Sequence, residues 1–318
     1  MSAIGYPYQR QTTVDGDGVD LAVWETAANG PTVLLVHGFP DTHALWDLVA
    51  ARLVDDFHLI AYDVRGSGDS GTPRDTTAYR MRHLVADLVA VLDAASPDKS
   101  VHLVGHDWGS VQAWDAVLRE KSDPRLHGRI ASYTSISGPC LDHITAWARK
   151  ARQGSFRDRL DVFSQGVRSC YISAFQIPRL PEWVLPRIGL RRVIARSEHM
   201  LQSHFAPSLV DDARHGLSLY RANIRHRVPV PDGPSTDLPV QLIVPIRDPY
   251  LSPAMYRGLA EFVPHLTRID IDARHWVVRT HSDDIASLIA EFTRIHSVGP
   301  DPPSPTTPPG QTEPMRAD

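Results

Sequence analysis

Short apolar runs, each cut off by a glycine or polar corner and each followed by helical spacing, limit what this chain can fold into. Thr32 to Val36 is one such run; Leu59 to Val64, Val101 to Val104 and Ile130 to Ile136 follow. Runs this short and this uniformly apolar are expected to be strands covered on both faces. Between them, His43 to Leu53, Tyr79 to Leu92 and Val111 to Leu118 carry helical patterns. In the second, Met81, Leu84, Val85, Leu88, Val89 and Leu92 fall on one side. Strands alternating with helices imply a parallel sheet with right-handed crossovers, so the expected class is α/β. Ahead of this alternation, Asp15-Gly16-Asp17-Gly18 reads as a hairpin turn into a strand over Leu21 to Trp24.

The rhythm breaks after Gly138. From Cys140 to about Thr236 the pattern is helical, with no clear strand. Val240 to Pro245 resumes the sheet, Leu266 to Ile271 adds a last strand, and Asp283 to Ile295 a last helix. The expectation is a core domain over 1–138 and 237–297 with an inserted helical domain over 139–236. The insertion differs in charge: 15 of the 33 Lys and Arg, but only 8 of the 37 Asp and Glu, lie within 140–236. Residues 298–318 are mostly Pro, Thr, Ser, Gly and charged residues without apolar periodicity, and are expected to be disordered.

Composition removes several classes. A net charge of −4 gives no reason to expect a nucleic-acid partner. The two cysteines, Cys140 and Cys170, follow neither a metal spacing nor a disulfide framework, which fits a reducing compartment. The N-terminus lacks an apolar signal core, and no apolar run approaches the roughly 18 residues a membrane span needs. The expected location is the cytoplasm. At 318 residues with 42% hydrophobic content, one large domain with an insertion can be built.

The chemistry is concentrated at Gly105-His106-Asp107-Trp108-Gly109. A small residue on each side of a central one, after a buried strand, marks a strand that turns sharply into a helix and presents the central side chain at the sheet's carboxyl edge. Most such corners hold Ser; here it is Asp107. An Asp could merely cap the helix, but glycine on both sides adds nothing to capping. His275, in the loop after the last strand, takes the position of the base, and Asp248, ending the preceding strand, that of the acid which holds the imidazole. Asp248-Pro249 can also be read as a plain turn. His281, six residues beyond His275, is read as structural. His37-Gly38-Phe39-Pro40 follows a sheet strand and places the N–H of Phe39, with that of Trp108, as an oxyanion hole. Asp63 to Ser70, DVRGSGDS, is read as a structural loop.

Four segments, HGFPDTHALWD, DVRGSGDSG, GHDWGS and DARHW, together resemble the epoxide hydrolases of the α/β-hydrolase fold, in that family's order and spacing from about Val19 to Ile295. The chain is especially similar to the hydrolase half of bacterial proteins that append a short-chain-dehydrogenase-like domain, a domain not seen in this sequence. The resemblance implies a mostly parallel central sheet flanked by helices, with a helical cap inserted. It implies two cap tyrosines over the nucleophile: CYISAFQIP puts that role on Tyr171 and LSLYRANIR on Tyr220. The sequence by itself does not pick these from nine tyrosines. The implied reaction is the opening of a small apolar epoxide by Asp107, then hydrolysis by water activated by His275, with no cofactor or metal. One departure stands out: many relatives have Gly where this chain has Arg274, whose charge is expected to reshape the loop or pair with Asp272.

Two other readings share these residues. A haloalkane dehalogenase uses the same Asp nucleophile but cradles halide with N–H donors, and Phe39 has no side-chain donor. A non-catalytic binder of a ligand or partner has no use for Asp107, Asp248 and His275 together. Within the insertion, Trp183 to Ile188 followed by Arg191, Arg192 and Arg196 is expected to pack on the core with a solvated basic face; the alternative is contact with a membrane surface. The particular epoxide and the oligomeric state are not legible in the sequence.

Overall fold

A computed structural model describes residues 6–27, 30–224 and 233–297. The tail expected to be disordered lies outside these residues, as does the end of the insertion over 225–232. Eight strands form one sheet: β1 Arg10–Asp15, β2 Asp20–Glu25, β3 Thr32–Val36, β4 His58–Tyr62, β5 Val101–His106, β6 Ile130–Ile136, β7 Val240–Pro245 and β8 Leu266–Ile271. Their spatial order is β1-β2-β4-β3-β5-β6-β7-β8. The hairpin β1–β2 is antiparallel and joins β4 antiparallel; the six strands from β4 to β8 are mutually parallel.

The helices are α1 Asp47–Leu53, α2 Met81–Ala95, α3 Trp108–Arg119, α4 Leu141–Gln153, α5 Phe156–Arg168, α6 Cys170–Phe175, α7 Leu180–Val184, α8 Leu190–Glu198, α9 Leu209–Asn223, α10 Val277–Thr280 and α11 Ser282–Ser297. The first part of the expected helix after His43 is a 3-10 turn over His43–Trp46. Helices α4 to α9 all lie between β6 and β7, where the sequence rhythm breaks.

The central strands are apolar throughout because both of their faces are covered. β3, β5 and β7 are buried along their whole length. Alternate residues feed two layers: Leu34 and Val36 join α2 and α3 on one face, while Val33 and Leu35 join α1 and α11 on the other. Each such side chain contributes roughly 1.5–3 kcal/mol by leaving water. On the edge strand β8 only Leu266, Ile269 and Ile271 are half-buried and the other residues are exposed, as partial cover of an edge allows. The loop over Asp63–Ser70 is pinned by a buried ion pair, in which Arg65 Nε and Nη2 each donate to Asp87 at 2.6 Å. Among the described residues no helix is long and apolar enough to cross a membrane.

One stripe of α9 fastens the inserted helices to the core. Asp212 accepts the Gly68 N–H at 2.9 Å. Gly216 leaves room for the Phe39 ring, to which a Cβ would come within 2.6 Å. Tyr220 packs on Phe39 and Trp108. Asn223 accepts the Met81 N–H at 2.9 Å and donates to Tyr79 O at 2.8 Å. Steps of four, four and three residues keep all four on one helix face.

Candidate active site

The corner after β5 is sharp. Asp107 has φ 51° and ψ −124°, a conformation that L-residues avoid and that costs on the order of 1–3 kcal/mol. The flanking glycines make it sterically feasible. A Cβ on Gly105 would stand 2.6 Å from the Ser110 Cα, and one on Gly109 would collide with the Val36 and His37 carbonyls. The turn leaves the Asp107 carboxylate at the carboxyl end of the sheet. Its Oδ1 accepts the Phe39 N–H at 2.7 Å, and its Oδ2 lies 3.5 Å from His275 Nε2. The loop that presents Phe39 is locked by His37, whose Nδ1–H donates to Gly38 O at 2.9 Å while Nε2 accepts the Val64 N–H at 2.9 Å. That pattern needs a neutral ring, and burial holds the His37 pKa below its ordinary value. Trp108 opens α3, so its N–H has no partner within the helix.

His275 follows β8, and its Nδ1–H donates to Asp248 Oδ2 at 2.7 Å. Asp248 is itself held, its Oδ1 accepting the N–H groups of Tyr250 at 2.7 Å and Leu251 at 3.0 Å. Arg168 of α5 reaches the Asp248 carbonyl at 2.6 Å, so an inserted helix braces the acid. Burial alone would lower the His275 pKa. The Asp248 charge and the hydrogen bonds to Asp107 and Asp248 outweigh it and raise the pKa well above the ordinary imidazole value.

Tyr171 and Tyr220 face this group from α6 and α9. Their ring centroids are 6.1 Å apart, and Tyr220 stacks edge-on against Trp108 at 4.9 Å and Phe39 at 5.2 Å. Burial above all, with the Asp107 charge nearby, pushes both phenols up, so both keep their protons at neutral pH. Arg221, one residue past Tyr220, donates to the Phe175 carbonyl at 2.8 Å and to Glu182 at 2.5 Å, which ties α9 to α6 and α7. A cavity of about 330 Å³ runs from Asp107 and Trp108 past both tyrosines to Ile172 and Met255. Its size and apolar lining suit a small organic molecule.

The structure thus brings all seven expected residues, Asp107, His275, Asp248, Tyr171, Tyr220, Phe39 and Trp108, to one place. His281 pairs with its neighbour Thr280 at 2.9 Å and does not line the cavity. Of the two outcomes expected for Arg274, pairing with Asp272 is not seen among the described residues, where Asp272 pairs with Arg247 at 2.5 Å. The strip after Trp183 is divided. Leu185 and Ile194 are buried, but Trp183 and Ile188 point outward, with the Arg187 guanidinium over the Trp183 ring.

Three buried groups around His275 were not singled out by the sequence. Asp41 accepts the Trp276 indole N–H at 2.9 Å, and burial lifts its pKa to about 7. Glu198, at the end of α8, accepts the Trp276 backbone N–H at 3.2 Å, also with a raised pKa from burial. His106 donates from Nε2 to the His275 carbonyl at 3.0 Å and is held neutral by burial, which lowers its pKa to about 4. Asp41 and His106 adjoin recognised motifs, which is a usable signal; Glu198 has none. Among the described residues no group of three His, Cys, Asp or Glu is placed to hold a metal ion.

Known proteins resemble both sequence and fold. The chain is 38% identical over 288 residues to Probable oxidoreductase EphD of Mycobacterium tuberculosis, a match covering 87% of this chain and 48% of that protein. It is 36% identical over 197 residues to Epoxide hydrolase A of the same organism, covering 60% of this chain and 55% of that one. The chain thus spans about half the length of these curated relatives. In three dimensions it is similar to an epoxide hydrolase of Bacillus megaterium, with a TM-score of 0.74 at 22% identity over 89% of this chain and 100% of that one. VrEH1 of Vigna radiata is similar with a TM-score of 0.68 at 24% identity, over 90% and 98%. Both likenesses are to the fold. The model of the alpha/beta hydrolase fold family matches residues 31–282, and with the eight-stranded sheet and the strained corner already described, the chain belongs to that family.

Proposed function

We propose that this protein is an epoxide hydrolase that converts a small apolar epoxide to a vicinal diol through a covalent ester on Asp107. The observation that carries the reading is a carboxylate at the corner with a backbone N–H already on Oδ1 and two protonated phenols above it. Relatives named epoxide hydrolase lend it support. A serine at this corner attacks an acyl carbon of the substrate; a carboxylate displaces at saturated carbon instead.

In the first step Asp107 Oδ2 bonds to a ring carbon as the ring C–O bond breaks. The ring oxygen takes a proton from Tyr171 or Tyr220, since an alkoxide is more basic than a phenolate even when burial has raised the phenol. Esterification removes the charge of Asp107. The Asp248 charge raises the His275 pKa most, and the Asp107 charge and hydrogen bond add to it, so alkylation shifts the imidazole toward the neutral form a base needs. In the second step His275 Nε2 takes a proton from water, whose oxygen adds to the Asp107 carbonyl carbon. The N–H groups of Phe39 and Trp108 stabilise the oxyanion. Collapse breaks the ester C–O bond and releases the diol, which takes the proton from His275; Asp107, left as the free acid, gives up its proton as the phenolate regains one.

The dehalogenase alternative is disfavoured by Phe39, which offers no side-chain N–H to halide. We also read the chain as the counterpart of the hydrolase half of two-domain bacterial proteins, because its match to the relative named an oxidoreductase leaves about half of that protein's length uncovered. A cytoplasmic setting belongs to this reading, supported by Cys140 and Cys170 following no disulfide framework.

The test is a single turnover with enzyme in excess over styrene oxide in heavy-oxygen water. The diol should emerge largely unlabelled, with the label left in the Asp107 carboxylate. A fully labelled diol means direct attack by water and ends the covalent mechanism; no diol from aryl, alkyl or long-chain epoxides ends the epoxide reading.

A further inference from the structure

Charge is sorted by exposure in the inserted helices. Over residues 141–224, ten Lys and Arg side chains are exposed, whereas of the acids only Asp211 is; the other six are buried or half-buried. Helix α5 adds an apolar stripe to this cationic exterior. Phe156, Leu160, Phe163 and Val167, spaced by four, three and four residues, share one helix face and are 71%, 48%, 70% and 57% exposed. Arg157 and Arg159 are exposed on either flank of the stripe. The acids of the same helix lie on its other side, where Asp158 and Asp161 meet Arg257. Beyond it, Trp183 and Ile188 stand 59% and 45% exposed beside Arg187.

An apolar stripe flanked by arginines, with acids on the opposite face, is the pattern of a helix lying in a bilayer interface. We propose that the outer face of the inserted helices docks on an anionic lipid bilayer, with the α5 stripe entering the headgroup layer. A second copy fits less well: pairing stripe to stripe brings Arg157 and Arg159 of each copy against their own kind. A nucleic acid would meet the cations and leave the stripe without a role. The proposal does not depend on the reaction assigned above.

The test is co-sedimentation of the full chain with vesicles of phosphatidylcholine, alone or with about 30% phosphatidylglycerol. Each cation held near an anionic leaflet raises affinity by about fivefold, so binding to the anionic vesicles should exceed that to neutral ones by at least about tenfold. About 0.5 M salt should remove most of the difference. Phe156→Ser with Phe163→Ser should lower anionic-vesicle binding by about tenfold without moving the melting temperature, since both rings are already in water. Arg157→Gln with Arg159→Gln should lower it independently. Ile295→Ser, 61% exposed on α11, should bind as the parent does. Equal partition to both vesicles, or a phenylalanine variant that binds like the parent, overturns the proposal. So does a parent dimer that the phenylalanine variant dissociates, or tight binding to an RNA homopolymer in place of vesicles.

Discussion

His275 stands between two carboxylates with different fates. In the proposed reaction Asp107 loses its charge when it is alkylated, whereas the buried Asp248 stays hydrogen-bonded to the imidazole. The base is therefore needed only after the nucleophile has been spent. His275→Gln should leave the first step largely intact and block the second, so that a mass increase equal to one substrate molecule accumulates on the intact protein. His281→Gln should turn over like the parent; if it traps the adduct instead, the base has been misassigned. At this scale the sequence is informative where backbone geometry demands a residue type. The glycines around Asp107 mark a corner, and the loop position of His275 distinguishes it among 16 histidines. Asp41, Glu198 and His106 converge on the same loop only after folding; Asp41 and His106 stand within legible motifs, whereas Glu198 carries no mark of the neighbour it will meet.

At the scale of elements, α9 performs two tasks with one face. Asp212 and Asn223 fasten the inserted helices to core backbone, and Tyr220 between them is aimed by that fastening. Gly216 is the point of closest approach, against the ring of the residue whose N–H holds Asp107 Oδ1. Gly216→Ala should stabilise an isolated helix by about 1 kcal/mol. Here it must displace Phe39. Since a misplacement of about 1 Å can cost on the order of 10² in rate, kcat should fall at least tenfold while the melting temperature stays within a few degrees. A variant as active as its parent would show that the oxyanion loop does not rest on α9. The core strands are legible because burial on both faces writes itself as an unbroken apolar run. The inserted helices are legible as helices, but their facing is not. Trp183 and Ile188 share a run with the buried Leu185, and only the packing decides which of them meet water.

For the molecule as a whole, the buried acids set a pH dependence whose sign can be worked out. Asp41 has a folded pKa of about 7, against about 3.9 for an unfolded carboxyl. The folded state holds that proton more tightly, so the contribution to stability is fully present below about pH 4 and is lost as pH rises through 7, up to about 4 kcal/mol in all. His106 acts in the opposite sense. Its folded pKa of about 4 lies below the usual imidazole value, and its contribution is lost as pH falls toward 4. The slope must therefore be read against a variant. Between pH 5 and 8 the melting temperature of Asp41→Asn should fall less steeply than that of the parent; parallel slopes would mean that Asp41 titrates as an ordinary acid. The fastening by α9 has a final consequence for turnover. Lifting that helix to let a diol out would withdraw one proton donor and loosen the oxyanion loop in the same movement. Opening and chemistry are then mutually exclusive states, and an ester still bound to Asp107 is shielded from stray nucleophiles for as long as the helix stays down.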